Sequence, residues 1–136
     1  MKTFILFSFL IVASTISSSQ DTNFTGAWNL IDFEIISDDY NERLNEDKLK
    51  EDGSVWDLFF MEESQFKQTS NMSGSGTMDS QEGTWEVKGN NLRLLITMGV
   101  QKMEIIYTYE FEENLLVLRR KNPAGTMEII SKFRMK

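Results

Sequence analysis

The feature that most constrains this chain is a series of short segments in which apolar and polar residues alternate. The clearest runs from Lys102 to Glu112, where every second position is apolar: Met103, Ile105, Tyr107, Tyr109 and Phe111. A period of two over this length is typical of a β-strand with one face in a core and the other in water. Other segments repeat the alternation, and no segment of the core region has a convincing helical pattern. The sequence therefore predicts an all-β fold.

Eight strands are predicted, and several are separated by short turn signals such as Gly89-Asn90 and Pro123-Ala124-Gly125. Eight antiparallel strands joined by hairpins fold either as an up-and-down barrel or as a sandwich. The second half of the chain lacks the long crossovers of a Greek-key sandwich, so we favour a closed eight-stranded antiparallel up-and-down β-barrel. Closure also removes sheet edges that an apolar chain must otherwise protect. The predicted strands are Ala27–Ile36, Trp56–Met61, Gln65–Met72, Gln81–Lys88, Asn91–Met98, Lys102–Glu112, Leu115–Lys121 and Thr126–Arg134.

The two ends of such a meander must meet. In a barrel with an even number of strands, the start of the first strand and the end of the last lie at the same rim. Gly26-Ala27-Trp28 opens the first strand and Phe133-Arg134 ends the last, so we expect Trp28 to lie beside the C-terminal strand. A guanidinium against an indole face contributes ~0.5–2 kcal/mol. If Phe133 points inward, Arg134 points outward unless a bulge intervenes, which leaves Arg119 or Arg120 as alternative partners of Trp28.

These residues resemble the lipocalin superfamily of calycin barrels. That superfamily has Gly-x-Trp at the start of its first strand and an arginine on its last strand that packs across the tryptophan, and Gly26, Trp28 and Arg134 match this motif. The chain is most similar to small secreted bacterial lipocalin-like domains. It shares with them a Gly-Asn turn and the segments Gly83-Thr84-Trp85-Glu86-Val87, Leu92-Arg93-Leu94 and Leu116-Val117-Leu118-Arg119. The disulfides of the family are absent. The resemblance implies a barrel that binds small apolar molecules.

The N-terminus has the layout of a secretory signal peptide. Lys2 supplies a positive charge, residues 4–13 are nearly all apolar, and residues 14–19 are small and polar. We place the cleavage between Ser19 and Gln20, which leaves residues 20–136 as one lipocalin-like domain. An apolar stretch of about ten residues is far short of the ~20 that span a bilayer. The sequence thus predicts export to the periplasm or the exterior without membrane insertion.

Composition narrows the chemistry. The chain has no histidine and no cysteine, which removes the commonest general base, thiol chemistry and most zinc ligands. We therefore predict no catalysis, no cofactor and no metal, although an enzyme of this fold that uses tyrosine or carboxylate chemistry stays an alternative. The formal net charge of −7 repels phosphate backbones, so nucleic acid is not an expected partner. We expect a monomer.

The interior of an eight-stranded barrel is either filled by side chains or holds one small ligand. Polar groups inside an apolar pocket orient ligands, and Gln68, Tyr107 and Tyr109 supply such groups. We therefore predict a binding protein for an unidentified small hydrophobic molecule. Most inward side chains are bulky, so a packed barrel that serves as a protein- or glycan-interaction module is the alternative. The candidate ligand-binding residues are Phe60, Phe66, Gln68, Trp85, Leu94, Ile105, Tyr107, Tyr109 and Leu118.

One long connection, residues 37–55, is acidic and contains Leu44 and Leu49. One interpretation is a lid, in which these leucines cover the open mouth of the barrel. The resemblance implies this position, because the corresponding loop takes it in the lipocalin superfamily. A solvated loop is the other interpretation. Convergence of the carboxylates on calcium is a third, although the usual Asp-x-Asp-x-Asp-Gly spacing is missing.

Overall fold

The computed structural model describes residues 23–73 and 76–136, and the predicted signal peptide lies outside these ranges. The described residues form nine strands and one helix. In chain order these are β1 (Gly26–Ser37), β2 (Asn41–Leu44), α1 (Glu46–Asp52), β3 (Trp56–Phe60), β4 (Gln65–Ser70), β5 (Asp79–Lys88), β6 (Asn91–Met98), β7 (Gln101–Glu112), β8 (Leu115–Lys121) and β9 (Met127–Met135).

The predicted barrel is confirmed. Strands β3 to β9 follow one another as an antiparallel meander, and β1 closes the sheet because it pairs with β3 on one side and with β9 on the other. The pairing of β1 with β9 sets Trp28 opposite Met135, Asn29 opposite Arg134 and Leu30 opposite Phe133. The first and last strands therefore meet as the sequence predicts, and eight strands form the closed wall.

Strand β2 and helix α1 are additions to the eight-stranded wall. β3 pairs with β1 only from Gly26 to Asn29, and β2 pairs farther along the same side of β1, from Phe33 to Ile36. Helix α1 follows directly. The Asn45 side chain accepts a hydrogen bond from the Lys48 backbone N–H at 2.9 Å and caps its N-terminus. In the described part of the chain, no helix is long and apolar enough to cross a membrane.

The two ends of the barrel differ in how they are filled. The end that carries the β3–β4, β5–β6 and β7–β8 turns, here called the closed end, is packed with aromatic rings. Phe24, which precedes β1, is fully buried there, and its ring centroid lies 5.4 Å from that of Phe60 and 5.7 Å from that of Trp85. The opposite end, here called the open end, carries the β1–β2, β4–β5, β6–β7 and β8–β9 connections. Aromatic rings therefore fill the interior of the barrel at the closed end.

A cavity at the open end of the barrel

A cavity of about 430 Å³ occupies the open end of the barrel. This volume falls in the usual range for small-molecule pockets, ~300–1,000 Å³. Its wall combines apolar side chains with polar and charged ones, drawn from β1, β3, β4, β5, β7, β8 and β9 and from the β4–β5 loop. The lining residues are Phe33, Ile35, Trp56, Gln68, Ser70, Met72, Ser73, Asp79, Gln81, Tyr107, Arg120 and Ile129.

A row of hydrogen bonds crosses three neighbouring strands of the cavity wall. The Trp56 indole Nε1 donates to the Gln68 side-chain oxygen at 3.0 Å, and the Gln68 amide nitrogen donates to the Gln81 side-chain oxygen at 2.7 Å. Gln68 is only 9% exposed. Because a buried amide is costly without partners, these bonds fix the orientation of all three side chains. The row presents a rigid polar edge to the cavity.

Arg120 and Tyr107 form the other polar feature of the cavity. The guanidinium carbon of Arg120 lies 5.9 Å from the centre of the Tyr107 ring, within cation–π range. Burial raises the pKa of the Tyr107 phenol, and the nearby Arg120 charge opposes this rise without cancelling it. The phenol is therefore protonated at neutral pH and is available as a hydrogen-bond donor.

Solved structures of other proteins have a similar barrel, although sequence comparison finds no relative. No protein-family model and no curated protein sequence matches this chain. Among solved structures, a lipocalin-like protein from Bacteroides uniformis ATCC 8492 superposes with a TM-score of 0.53 at 15% identity, over 84% of this chain and 99% of that protein. An uncharacterized protein from Bacteroides eggerthii DSM 20697 superposes with a TM-score of 0.52 at 13% identity, over 82% and 98%. The fold is that of the lipocalin-like barrels.

The motif residues of this lipocalin-like barrel are only partly arranged as predicted. Gly26 begins β1 at a φ of 136°, and Trp28 is buried, its indole Nε1 donating to the Phe24 carbonyl at 2.8 Å. The family motif implies that Arg134 packs across Trp28, whereas strand alternation predicts that Arg134 points outward unless a bulge intervenes. Arg134 lies opposite Asn29 and alternates with the inward Phe133, so it points outward and binds the Glu46 carboxylate of α1 at 2.9 Å. The arginine ties the helix to the barrel wall instead of covering the tryptophan.

Two of the nine predicted ligand-binding residues, Gln68 and Tyr107, line the cavity. Tyr109 does not, although it shares a face of β7 with Tyr107. Its hydroxyl donates to the Gly89 carbonyl at 3.2 Å and its ring lies 4.8 Å from that of Phe24, which places it at the closed end. Five of the others belong to the buried core, and Ile105 packs against that core. These six residues are Phe60, Phe66, Trp85, Leu94, Leu118 and Ile105.

The residues that the sequence analysis missed lie nearer the open end. Trp56 and Gln81 are the first residues of two predicted strands, and alternation is hard to assign at the start of a strand. Arg120 continues the inward alternation of Leu116 and Leu118 two residues farther along β8, but the sequence suggested it only as an alternative partner of Trp28. Continuing the alternation through the charged residue would have identified it.

Helix α1 does not cover the cavity in this structure. Neither Leu44 nor Leu49 is among the lining residues, and the helix lies mainly against β1 and β2. Leu49 is nevertheless buried, with 3% exposure, so the helix packs against the barrel flank. Within residues 23–73 and 76–136, no group of three or more acidic side chains converges closely enough to hold a metal ion.

Proposed function

We propose that this lipocalin-like barrel is a binding protein that holds a small hydrophobic molecule in the cavity at its open end. The observation that carries the proposal is the cavity itself, which has a volume of about 430 Å³, apolar side chains in its wall and a hydrogen-bonded polar edge. Burial of a ligand's apolar surface stabilises the complex by ~25 cal/mol per Å². The polar edge would orient the bound molecule.

Catalysis is not part of the proposal. A tyrosine acts as a base or nucleophile through its phenolate, and burial raises the pKa of Tyr107, which disfavours that form. Within the cavity lining, Asp79 supplies the carboxylate, and its Oδ2 accepts a hydrogen bond from the Ser73 hydroxyl at 3.0 Å. These features support a binding role for the polar groups.

We further propose that the protein is exported and acts outside the cytoplasm. The charge, length and small-residue pattern of residues 1–19 support this proposal. Expression of the full chain in a bacterial host is expected to yield a processed protein that begins at Gln20. Intact-mass measurement of periplasmic and culture fractions would test the expectation, and a product found only in the cytoplasm with residues 1–19 attached would contradict it.

Filling the cavity is expected to weaken the binding of an apolar probe. The side chain of Ile129 lines the cavity and is half-buried, so Ile129→Trp places an indole in the binding space. We expect the affinity for the neutral fluorophore N-phenyl-1-naphthylamine to fall at least about tenfold, since losing only ~60 Å² of apolar contact costs about 1.5 kcal/mol. Titration that follows the fluorophore's own emission would measure the change without interference from the added tryptophan.

The matched control is Ile106→Trp. Ile106 lies on β7, is 49% exposed and does not line the cavity, so its replacement should leave the probe affinity unchanged. Equal affinities for the two variants and the parent would show that the fluorophore binds elsewhere. No enhancement of its emission by the parent protein would contradict the proposed function directly.

A further inference from the structure

Arg120 differs from every other arginine of the described chain. Each of the others binds a carboxylate on the outer surface: Arg43 with Asp32 at 2.8 Å, Arg93 with Glu104 at 2.6 Å, Arg119 with Glu110 at 3.0 Å and Arg134 with Glu46 at 2.9 Å. Among residues 23–73 and 76–136, no carboxylate lies within ion-pair distance of Arg120. It is also the one arginine that lines the cavity.

The nearest acidic group along the wall is Glu128 on the neighbouring strand β9, which points outward and binds Arg119 at 3.4 Å. The two acidic groups toward the cavity also have other partners. Asp79 lines the same cavity but belongs to β5, three strands away from β8 around the barrel, and it accepts a hydrogen bond from Ser73. Glu42 lies opposite Ile35 on β2, also three strands from β8, and it accepts a hydrogen bond from the Tyr40 hydroxyl. Neither of these two carboxylates forms an ion pair with Arg120.

The cation–π contact with Tyr107 leaves the guanidinium edge free to act. A guanidinium carries five N–H donors in its plane, and stacking over a ring uses none of them. Water that enters the cavity can solvate these donors. A ligand whose apolar part fills the cavity would displace some of this water, and an unpaired charge that loses water is costly. A ligand group with two acceptor oxygens and a negative charge would replace that water with bidentate, charge-assisted hydrogen bonds.

We infer that the ligand is an amphipathic anion whose carboxylate or similar oxyanion head binds Arg120 while its apolar tail lies in the cavity. This inference rests on the proposed function and names the ligand class for the same cavity. Tyr107 holds the guanidinium from one face and offers its protonated hydroxyl as a neighbouring donor. Gln68 and Gln81, fixed by their mutual hydrogen bond, form the opposite polar edge.

Three probes with the same tail and different heads test the inference: dodecanoate, dodecanol and dodecylamine. Each is titrated by displacement of N-phenyl-1-naphthylamine from the full-length mature protein at neutral pH. We expect dodecanoate to bind about tenfold to a hundredfold more tightly than dodecanol, because a hydrogen bond to a charged group is worth that factor. Dodecylamine should bind more weakly than dodecanol, because its cation faces the guanidinium.

Variants of Arg120 separate charge from shape. In Arg120→Gln the preference for dodecanoate over dodecanol should fall to less than about threefold, and in Arg120→Lys part of it should remain. In Arg120→Glu the order should reverse in favour of dodecylamine. Arg119→Gln is the matched control: this neighbour points outward to Glu110 and Glu128, and its replacement should leave the preference unchanged. Arg120 is exposed and has no ion pair to lose, so thermal melting should show that its variants fold like the parent.

The outcomes distinguish the two proposals. If all three probes bind with equal affinity and Arg120→Gln has no effect, the anion inference is wrong while hydrophobic binding stands. If dodecylamine binds most tightly, the polar selector is Asp79 and the inference is likewise overturned. If the fluorophore and all three probes fail to bind, the proposed function fails and the inference fails with it.

Discussion

Replacing Gly83 with alanine is expected to destabilise the barrel by about 3 kcal/mol or more. Gly83 lies in β5 opposite Ile96 of β6 and opposite Phe66 of β4. A Cβ built on Gly83 would lie 2.0 Å from the Leu95 carbonyl oxygen and 2.9 Å from the Ile96 Cα. Both are backbone atoms, so no change of side-chain rotamer relieves the overlap. The added methyl group must push β5 and β6 apart, and this loss exceeds the usual ~1–3 kcal/mol of an overpacked core.

Chemical denaturation followed by tryptophan fluorescence would measure the change in the free energy of unfolding. Trp85 lies two residues from Gly83 and is about 1% exposed, so its emission reports on the same region. The control is Thr84→Val, which alters an exposed neighbour in the same strand and should shift the free energy of unfolding by less than about 0.5 kcal/mol. A Gly83→Ala protein as stable as this control would show that the strands can separate at little cost.

The close approach at Gly83 shows how far alternation alone can carry a prediction. The sequence predicted the strands, their order and the closure, because each depends on a pattern that local residues specify. The Gly83-Thr84-Trp85 strand was assigned correctly for this reason. That a neighbouring backbone passes within contact distance of the Gly83 Cα depends on the curvature of the closed sheet, and no local pattern encodes it.

The cavity was harder to predict than the wall that surrounds it. Alternation identifies the side chains that point inward, but it does not show how far each one lies from the open and closed ends of the barrel. Tyr107 and Tyr109 share one face of one strand, yet Tyr107 lines the cavity and Tyr109 reaches the Gly89 carbonyl at the closed end. This distance depends on the register between strands, and the place of the cavity depends on which end of the barrel is filled. The filling residue, Phe24, precedes the first predicted strand.

The segment 37–55 shows a second limit. Its charges suggested a solvated loop and its leucines a lid, and both interpretations treated it as one unit. The structure divides it at Asn45, which caps α1, after a short strand that extends the sheet. A four-residue strand with two charged residues is too short for alternation to be detected. It forms because the part of β1 nearer the open end would otherwise be left unpaired on the side that β3 does not reach.

Replacing Phe24 with alanine is expected to cost about 3–5 kcal/mol of stability, the range for a buried aromatic residue cut back to a methyl group. Its side chain is fully buried, and its ring contacts Phe60, Trp85 and Tyr109 edge-on or at a tilt. Its carbonyl also accepts the Trp28 indole N–H at 2.8 Å. Loss of the ring leaves a cavity at the closed end and loosens the segment that holds this carbonyl in place.

Phe59→Ala supplies the matched control, because Phe59 lies on the outer face of β3 and is only half-buried, with the Lys136 ammonium 5.5 Å from its ring centre. Its truncation should cost less than half as much by chemical denaturation. Because Phe24 and the ligand cavity lie at opposite ends, the folded Phe24→Ala protein should bind N-phenyl-1-naphthylamine with unchanged affinity. A large loss of affinity with little loss of stability would mean that the closed end, rather than the open end, holds the ligand.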